Sequence, residues 1–163
     1  MKIAFLDRDG TINRDYPDAQ WSTISEPEIL DGVLEGMKHI LRCGYKIIIV
    51  TNQYTIGEGY ISIGQYYTFH KKLLDILENN GISVLDTFYC PHDRSADCDC
   101  CKPKTGLIHQ AFAKYPDIDI GSSFMCGDST SDMLCALNVG LKFYGINIGD
   151  HAIKSLADLY NYI

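Results

Sequence analysis

Five short apolar runs punctuate the chain, at Ile3 to Leu6, Lys46 to Val50, Val84 to Tyr89, Ser123 to Cys126 and Leu141 to Ile146. Ile47-Ile48-Ile49-Val50 is unbroken and β-branched, the pattern of a strand covered on both faces of a parallel sheet. Between the runs the apolar period changes to that of helices. Over Glu28 to Leu41 the apolar positions are Ile29, Val33, Met37, Ile40 and Leu41, with Gly44 as a stop. Tyr66 to Leu77 repeats the pattern through Phe69, Leu73, Leu74 and Leu77, and Gly81 follows. Shorter helices are predicted over Leu107 to Tyr115, Asp132 to Leu137 and Ala152 to Tyr160. Strands alternating with helices imply right-handed βαβ units. The fold class is therefore α/β, with a mainly parallel five-stranded sheet and helices on both faces. No repeat, low-complexity tract or linker interrupts the pattern, so a single domain is expected over 1–163.

Composition narrows the function. Fourteen Lys plus Arg against twenty-one Asp plus Glu give a net charge of −7. That balance speaks against a nucleic-acid binder, which needs a basic face, and against a polybasic membrane anchor. The apolar run Met1 to Leu6 ends in Asp7-Arg8-Asp9, too short for a signal-peptide core. Nothing approaches the ~18 apolar residues of a membrane span. A cytoplasmic monomer is expected, with a small molecule rather than a nucleic acid or membrane as its partner. Seven cysteines are present, and four of them fall between positions 90 and 101. Such crowding reads as metal binding before it reads as a disulfide framework.

Ligands of open α/β sheets bind beyond the carboxyl ends of the strands, and the polar clusters of this chain sit there. The first strand runs into Asp7-Arg8-Asp9-Gly10-Thr11, the second into Thr51-Asn52-Gln53, and the fourth into Gly127-Asp128-Ser129 with Asp132 one helical turn later. Lys102-Pro103-Lys104 precedes the helix that leads into the fourth strand. Each cluster alone is commonplace: an acid pair after a strand is more often a turn or a helix cap, and a lysine is usually solvated. Their occurrence in order, each at a strand end or a helix start, points to one site.

FLDRDGTIN, TNQ, CPH, CDC-x-KP and GD with Asp132 together resemble the haloacid dehalogenase-like phosphohydrolases over nearly the whole chain. They are similar to the branch holding histidinol-phosphatase and D-glycero-D-manno-heptose 1,7-bisphosphate phosphatase domains. The resemblance implies a Rossmann-like three-layer sandwich without a cap domain and a phosphatase acting on a small phosphorylated metabolite. The heptose bisphosphate is the first expectation and histidinol phosphate the alternative. Asp7 would be the nucleophile, giving an aspartyl phosphate, and Asp9 the acid and then the base. An anionic nucleophile meeting a phosphate dianion needs a cation between them. Asp7 and Asp128, with the Asp9 backbone carbonyl, form a hard oxygen set suited to Mg²⁺. Thr51, Asn52 and Lys102 would hold the phosphoryl oxygens, and Asp132 would orient Lys102 or support the metal.

Cys90-Pro91-His92 and Cys98-Asp99-Cys100 make a C-x-H and C-x-C pair of the type that closes a tetrahedral Zn²⁺ site. Such a zinc would be structural, stapling the loop after the third strand. Surface thiols or a disulfide are the plainer readings. Cys101 could compete with Cys100, and the resemblance places the ligand at Cys100. It also departs from relatives that carry arginine there, which puts recognition of a second anionic group in doubt. Cys43, Cys126 and Cys135 lie in apolar contexts and read as core cysteines.

His39, His70, His109 and His151 read as structural, Tyr54 as the tyrosine nearest the site, and Asp15 to Trp21 as a flap over the catalytic edge. A response-regulator-like phosphoacceptor would need a lone aspartate after the third strand, where Cys90-Pro91-His92 stands. A zinc-stapled binding module without catalysis would not need Asp7, Asp9, Lys102 and Asp128 together.

Overall fold

The computed structural model describes residues 1–163. Its sheet is built from β1 (Ile3–Leu6), β2 (Lys46–Asn52), β3 (Val84–Cys90), β4 (Phe124–Gly127), β5 (Lys142–Ile146) and β6 (Ala152–Ile153). The order is β3-β2-β1-β4-β5-β6, and every neighbouring pair is parallel. The helices are α1 (Val33–Arg42), α2 (Tyr54–Gly57), α3 (Ile63–Asn79), α4 (Gly106–Lys114) and α5 (Thr130–Asn138), with 3-10 turns at Asp18–Thr23, Ile120–Ser122 and Leu156–Asn161.

The period-2 geometry of the strands sorts their side chains into two cores. Ala4, Leu6, Ile47, Ile49, Phe124, Cys126 and Tyr144 face the cluster shared with α1, α3 and the last 3-10 turn. Ile3, Phe5, Ile48, Val50, Met125 and Phe143 face the opposite cluster, which holds Leu107, Ile108, Ala111, Cys135 and Ala136 of α4 and α5. This is a three-layer sandwich with no cap domain inserted. No helix is long and apolar enough to cross a membrane.

Six strands replace the five expected. The helix anticipated over Ala152 to Tyr160 divides into β6, paired with Gly145 and Ile146 of β5, and the 3-10 turn Leu156–Asn161. Buried Leu156 and Leu159 lie three residues apart, the repeat of a 3-10 turn, so apolar spacing alone read as a helix. The first helix also begins later than its apolar pattern suggested. Ile29 bridges Asn13, and Leu30 donates its N–H to the Ile12 carbonyl, so this stretch is committed to the loop after β1. Gly32 then turns the chain at φ +77° into α1.

Candidate active site

The carboxyl edges of β1, β2 and β4 open onto a cleft of about 270 Å³ lined by Asp7, Asp9, Thr51, Asn52, Lys102, Asp128 and Asp132, among others. The parallel strands bring Asp7, Thr51 and Asp128 to one edge, because each stands at or just past the end of its strand. Lys102 arrives from the loop before α4 and is almost fully buried. Its ammonium donates to Asp7 Oδ1 at 2.6 Å and to the Val50 carbonyl at 2.8 Å, and it lies 2.6 Å from Asp132 Oδ1. The other oxygen of Asp132 accepts from the Ser129 N–H and hydroxyl in the capping box of α5. The helix start thus fixes the carboxylate that aims Lys102.

Asp7, Asp128 and Asp132 each place a carboxylate oxygen within 4.8 Å of the others. Burial raises Asp7 well above the usual carboxylate range, with Lys102 opposing the shift and Asp132 and Asp9 adding to it. Burial likewise lifts Asp128 to about 6, with Asp132 adding to the shift. Burial alone would lower Lys102, but Asp7 and Asp132 outweigh it and hold the lysine above its ordinary range. One ammonium among three carboxylates leaves surplus negative charge, and an all-oxygen donor set of this kind fits a hard divalent cation. Gly10 makes room for the cluster. Its φ is +86°, and a Cβ there would lie 2.1 Å from Asp128 Oδ2.

Asp9 lines the same cleft but stands outside the carboxylate cluster, held by partners of its own. Its carboxylate accepts from Arg8 Nε and Nη2, from Asn13 Nδ2 and from Gln53 Nε2, at 2.7 to 2.9 Å. Only its backbone carbonyl is then left for the metal role expected of it. Gln53 also donates to Thr51 Oγ1 at 2.9 Å, tying the end of β2 to Asp9. Asn52 exchanges two hydrogen bonds with the backbone of Lys102, so its amide pins the lysine's loop to β2.

Arg8, Asn13 and Gln53 fall inside the sequence motifs but were given no role of their own. Arg8 is 1% exposed, and its guanidinium lies 5.1 to 5.8 Å from the ring centroids of Trp21, Tyr66 and Phe69. Its Nη1 has no hydrogen-bond partner and is left with these aromatic faces. An arginine wedged between two acids directly after an apolar strand was the available signal. The Asp15 to Trp21 segment ends in the 3-10 turn Asp18–Thr23 and is anchored by buried Trp21 in this aromatic cluster.

The second polar cluster lies after β3. Cys90, His92, Cys98 and Cys100 each offer a ligand atom within 4.8 Å of the rest. Cys90 Sγ is 3.6 Å from Cys98 Sγ and 3.1 Å from Cys100 Sγ, and His92 Nδ1 is 3.2 Å from Cys100 Sγ. Ligands at ~2.0–2.3 Å around one tetrahedral centre would stand apart by comparable distances. Cys101 is outside this set. Its side chain packs against the second core, and its thiol contacts the Lys102 carbonyl. All seven cysteines are free thiols.

A family model described as Polynucleotide kinase 3 phosphatase matches residues 2–145. A D-glycero-alpha-D-manno-heptose-1,7-bisphosphate 7-phosphatase of Photorhabdus laumondii is 40% identical over 148 residues, covering 86% of this chain and 79% of the relative. The histidine biosynthesis bifunctional protein HisB of Campylobacter jejuni is 33% identical over 157 residues, covering 96% of this chain and 44% of that protein. The crystal structure of D,D-heptose 1,7-bisphosphate phosphatase from B. bronchiseptica, complexed with magnesium and phosphate, has a TM-score of 0.86 at 23% identity. It covers 99% of this chain and 97% of that one, a likeness of fold.

Proposed function

The chain belongs to the haloacid dehalogenase-like phosphohydrolases, in the D,D-heptose bisphosphate phosphatase branch, and on that premise we propose that it hydrolyses D-glycero-D-manno-heptose 1,7-bisphosphate through an aspartyl phosphate at Asp7. It is a phosphoric monoester hydrolase. The observation that carries the mechanism is the buried contact between Lys102 and Asp7 at the mouth of β1.

Asp7, Asp128 and the Asp9 carbonyl would hold Mg²⁺, and Cys90, His92, Cys98 and Cys100 would hold a structural Zn²⁺. When bound, the magnesium offsets the repulsion between the Asp7 carboxylate and the phosphoryl group. An Asp7 oxygen attacks phosphorus, the bond from phosphorus to the sugar oxygen breaks, and Asp9 gives that oxygen a proton. Asp9 then takes a proton from water as the water attacks phosphorus, releasing inorganic phosphate and the Asp7 carboxylate. Lys102 leaves Asp7 for a non-bridging oxygen of the substrate while Asp132 continues to hold it. The Thr51 hydroxyl offers a second donor, and Asn52 keeps the Lys102 loop in register. Asp9 is aimed by Arg8, Asn13 and Gln53.

The 40% identical relative supports the heptose substrate, whereas the 33% identity to HisB over 96% of the chain supports histidinol phosphate as the second reading. A phosphate-release screen over sugar phosphates, histidinol phosphate and nucleotides, with and without Mg²⁺, tests both. Fastest Mg²⁺-dependent release from the heptose bisphosphate is expected. Fastest release from histidinol phosphate would replace the substrate, and release from none would overturn the reading.

A further inference from the structure

Cys43 is half-buried and belongs to neither core, although its apolar context read as core. It caps the C-terminal end of α1 one helical turn after His39, a spacing that puts both side chains on one face. Cys43 Sγ lies 3.4 Å from His39 Nε2, close to the 3.5 Å between Cys90 Sγ and His92 Nδ1. The same Nε2 lies 3.1 Å from the main-chain oxygen of Ile163, which the turn Leu156–Asn161 brings back against α1.

We propose that His39, Cys43 and the Ile163 main-chain oxygen form a further metal site, for a borderline divalent cation of the Zn²⁺ or Co²⁺ kind. Donors at ~2.0–2.3 Å around one tetrahedral ion stand roughly 3.3 to 3.6 Å apart, near the separations seen here. Hydrogen bonding serves the three groups unevenly. An Nε2–H satisfies the oxygen and otherwise finds only sulfur, a weak acceptor, whereas a bare Nε2 accepts from the thiol and faces the oxygen's lone pairs. A cation takes a lone pair from each donor, and imidazole with thiolate suits Zn²⁺ and its neighbours in the first row.

The frame that carries the donors is tightly packed. Leu156 and Leu159 are fully buried against α1, and a Cβ at Gly36 would lie 2.3 Å from the Leu156 carbonyl carbon. The Ile163 N–H donates to the Leu159 carbonyl, and the Tyr160 ring lies 5.0 Å from the His39 ring. Lys2 Nζ donates to the Cys43 carbonyl, leaving the sulfur for the metal. The site stands where α1 leads into the amino end of β2, away from the cleft at the carboxyl ends. Its metal fastens the last turn to α1 and takes no part in turnover. Three protein donors and a water hold a cation less firmly than the four ligands after β3, so the site fills on addition of metal and empties on desalting.

The test titrates Co²⁺ into desalted, zinc-loaded wild type, Cys43→Ser and His39→Gln at saturating Mg²⁺. Wild type should bind about one further equivalent with a thiolate-to-cobalt charge-transfer band, which an all-oxygen site does not give. The band should vanish in Cys43→Ser. In His39→Gln it should need roughly tenfold more Co²⁺ or beyond, since even an outer-shell change costs that much. At ten times its dissociation constant, Co²⁺ should raise the wild-type melting temperature by about 3 to 6 °C beyond its effect on Cys43→Ser. Phosphate release at saturating Mg²⁺ should be equal in the three proteins, which shows that the variants fold. No thiolate band in wild type, or a band of equal strength in Cys43→Ser, would overturn the proposal.

Discussion

The Lys102 ammonium stands 2.6 Å from the Asp7 carboxylate in a setting where burial disfavours the aspartate's charge. A nucleophile held in this way is a cost to the fold that catalysis requires.

Replacing Asp7 by the isosteric asparagine should therefore separate the two roles. Asp7→Asn removes a buried charge while Asp132 still pairs Lys102. Turnover should fall by about four orders of magnitude, whereas thermal unfolding in metal-free buffer should occur at or above the wild-type temperature. Phosphate release and a melting curve check both halves. A clear drop in melting temperature would show that the Asp7–Lys102 pair stabilises the fold on balance.

Gln53 donates to both Asp9 and Thr51, so it acts on the reaction through their positions. Gln53→Met should lower kcat about ten- to hundredfold with KM little changed. Gln53→Glu, which replaces the donor with an acceptor, should do no better. Steady-state kinetics at saturating Mg²⁺ distinguish this from a binding defect, in which KM would rise with kcat preserved.

In the cysteine loop the geometry separates two adjacent residues. Cys100 Sγ lies within the ligand cluster, and Cys101 packs against the core. Metal analysis should find about one zinc per chain in wild type and Cys101→Ser. Cys100→Ser should lose most of its zinc on desalting, and the 91–105 segment should become sensitive to protease. The reverse pattern would exchange the two assignments.

His70 provides the pH dependence. Burial and the nearby Arg8 guanidinium lower it to about 4, and its Nε2 contacts Thr87 Oγ1 at 3.0 Å. A base whose folded pKa is depressed contributes stability above its unfolded value of about 6.5 and loses that contribution as pH falls towards 4. His70→Gln keeps a nitrogen donor for Thr87 and does not titrate. Its stability relative to wild type should rise as pH is lowered from 6.5 to 4, by at most about 1.4 kcal/mol per pH unit. Denaturant melts across that range measure the difference, and a flat difference would contradict the burial of a neutral His70.

Asp7, Thr51 and Asp128 were legible in the sequence because each follows an apolar run, and a parallel sheet carries every strand end to the same edge. Lys102 lies in a loop, and its place among Asp7 and Asp132 is a tertiary fact that only the motif resemblance anticipated. Arg8 showed in the sequence only as an arginine between two acids, and its burial was not legible. Its burial depends on Trp21, Tyr66 and Phe69, remote in sequence, and composition gives no sign that three rings will shelter one guanidinium. β6 was missed because two residues are too short for an alternating pattern, and its pairing depends on β5 already being in place. The late start of α1 reflects the same limit, since Ile29 fits a helical face but is held by Asn13.

The central claim is that Asp7 carries the phosphoryl group. The most direct measurement is to quench the enzyme in acid during turnover of the heptose bisphosphate, reduce it with borohydride, and map the peptides by mass. An acyl phosphate at Asp7 should be reduced to homoserine at position 7 in wild type and be absent without substrate. An unmodified Asp7, together with wild-type turnover in Asp7→Asn, would contradict the account.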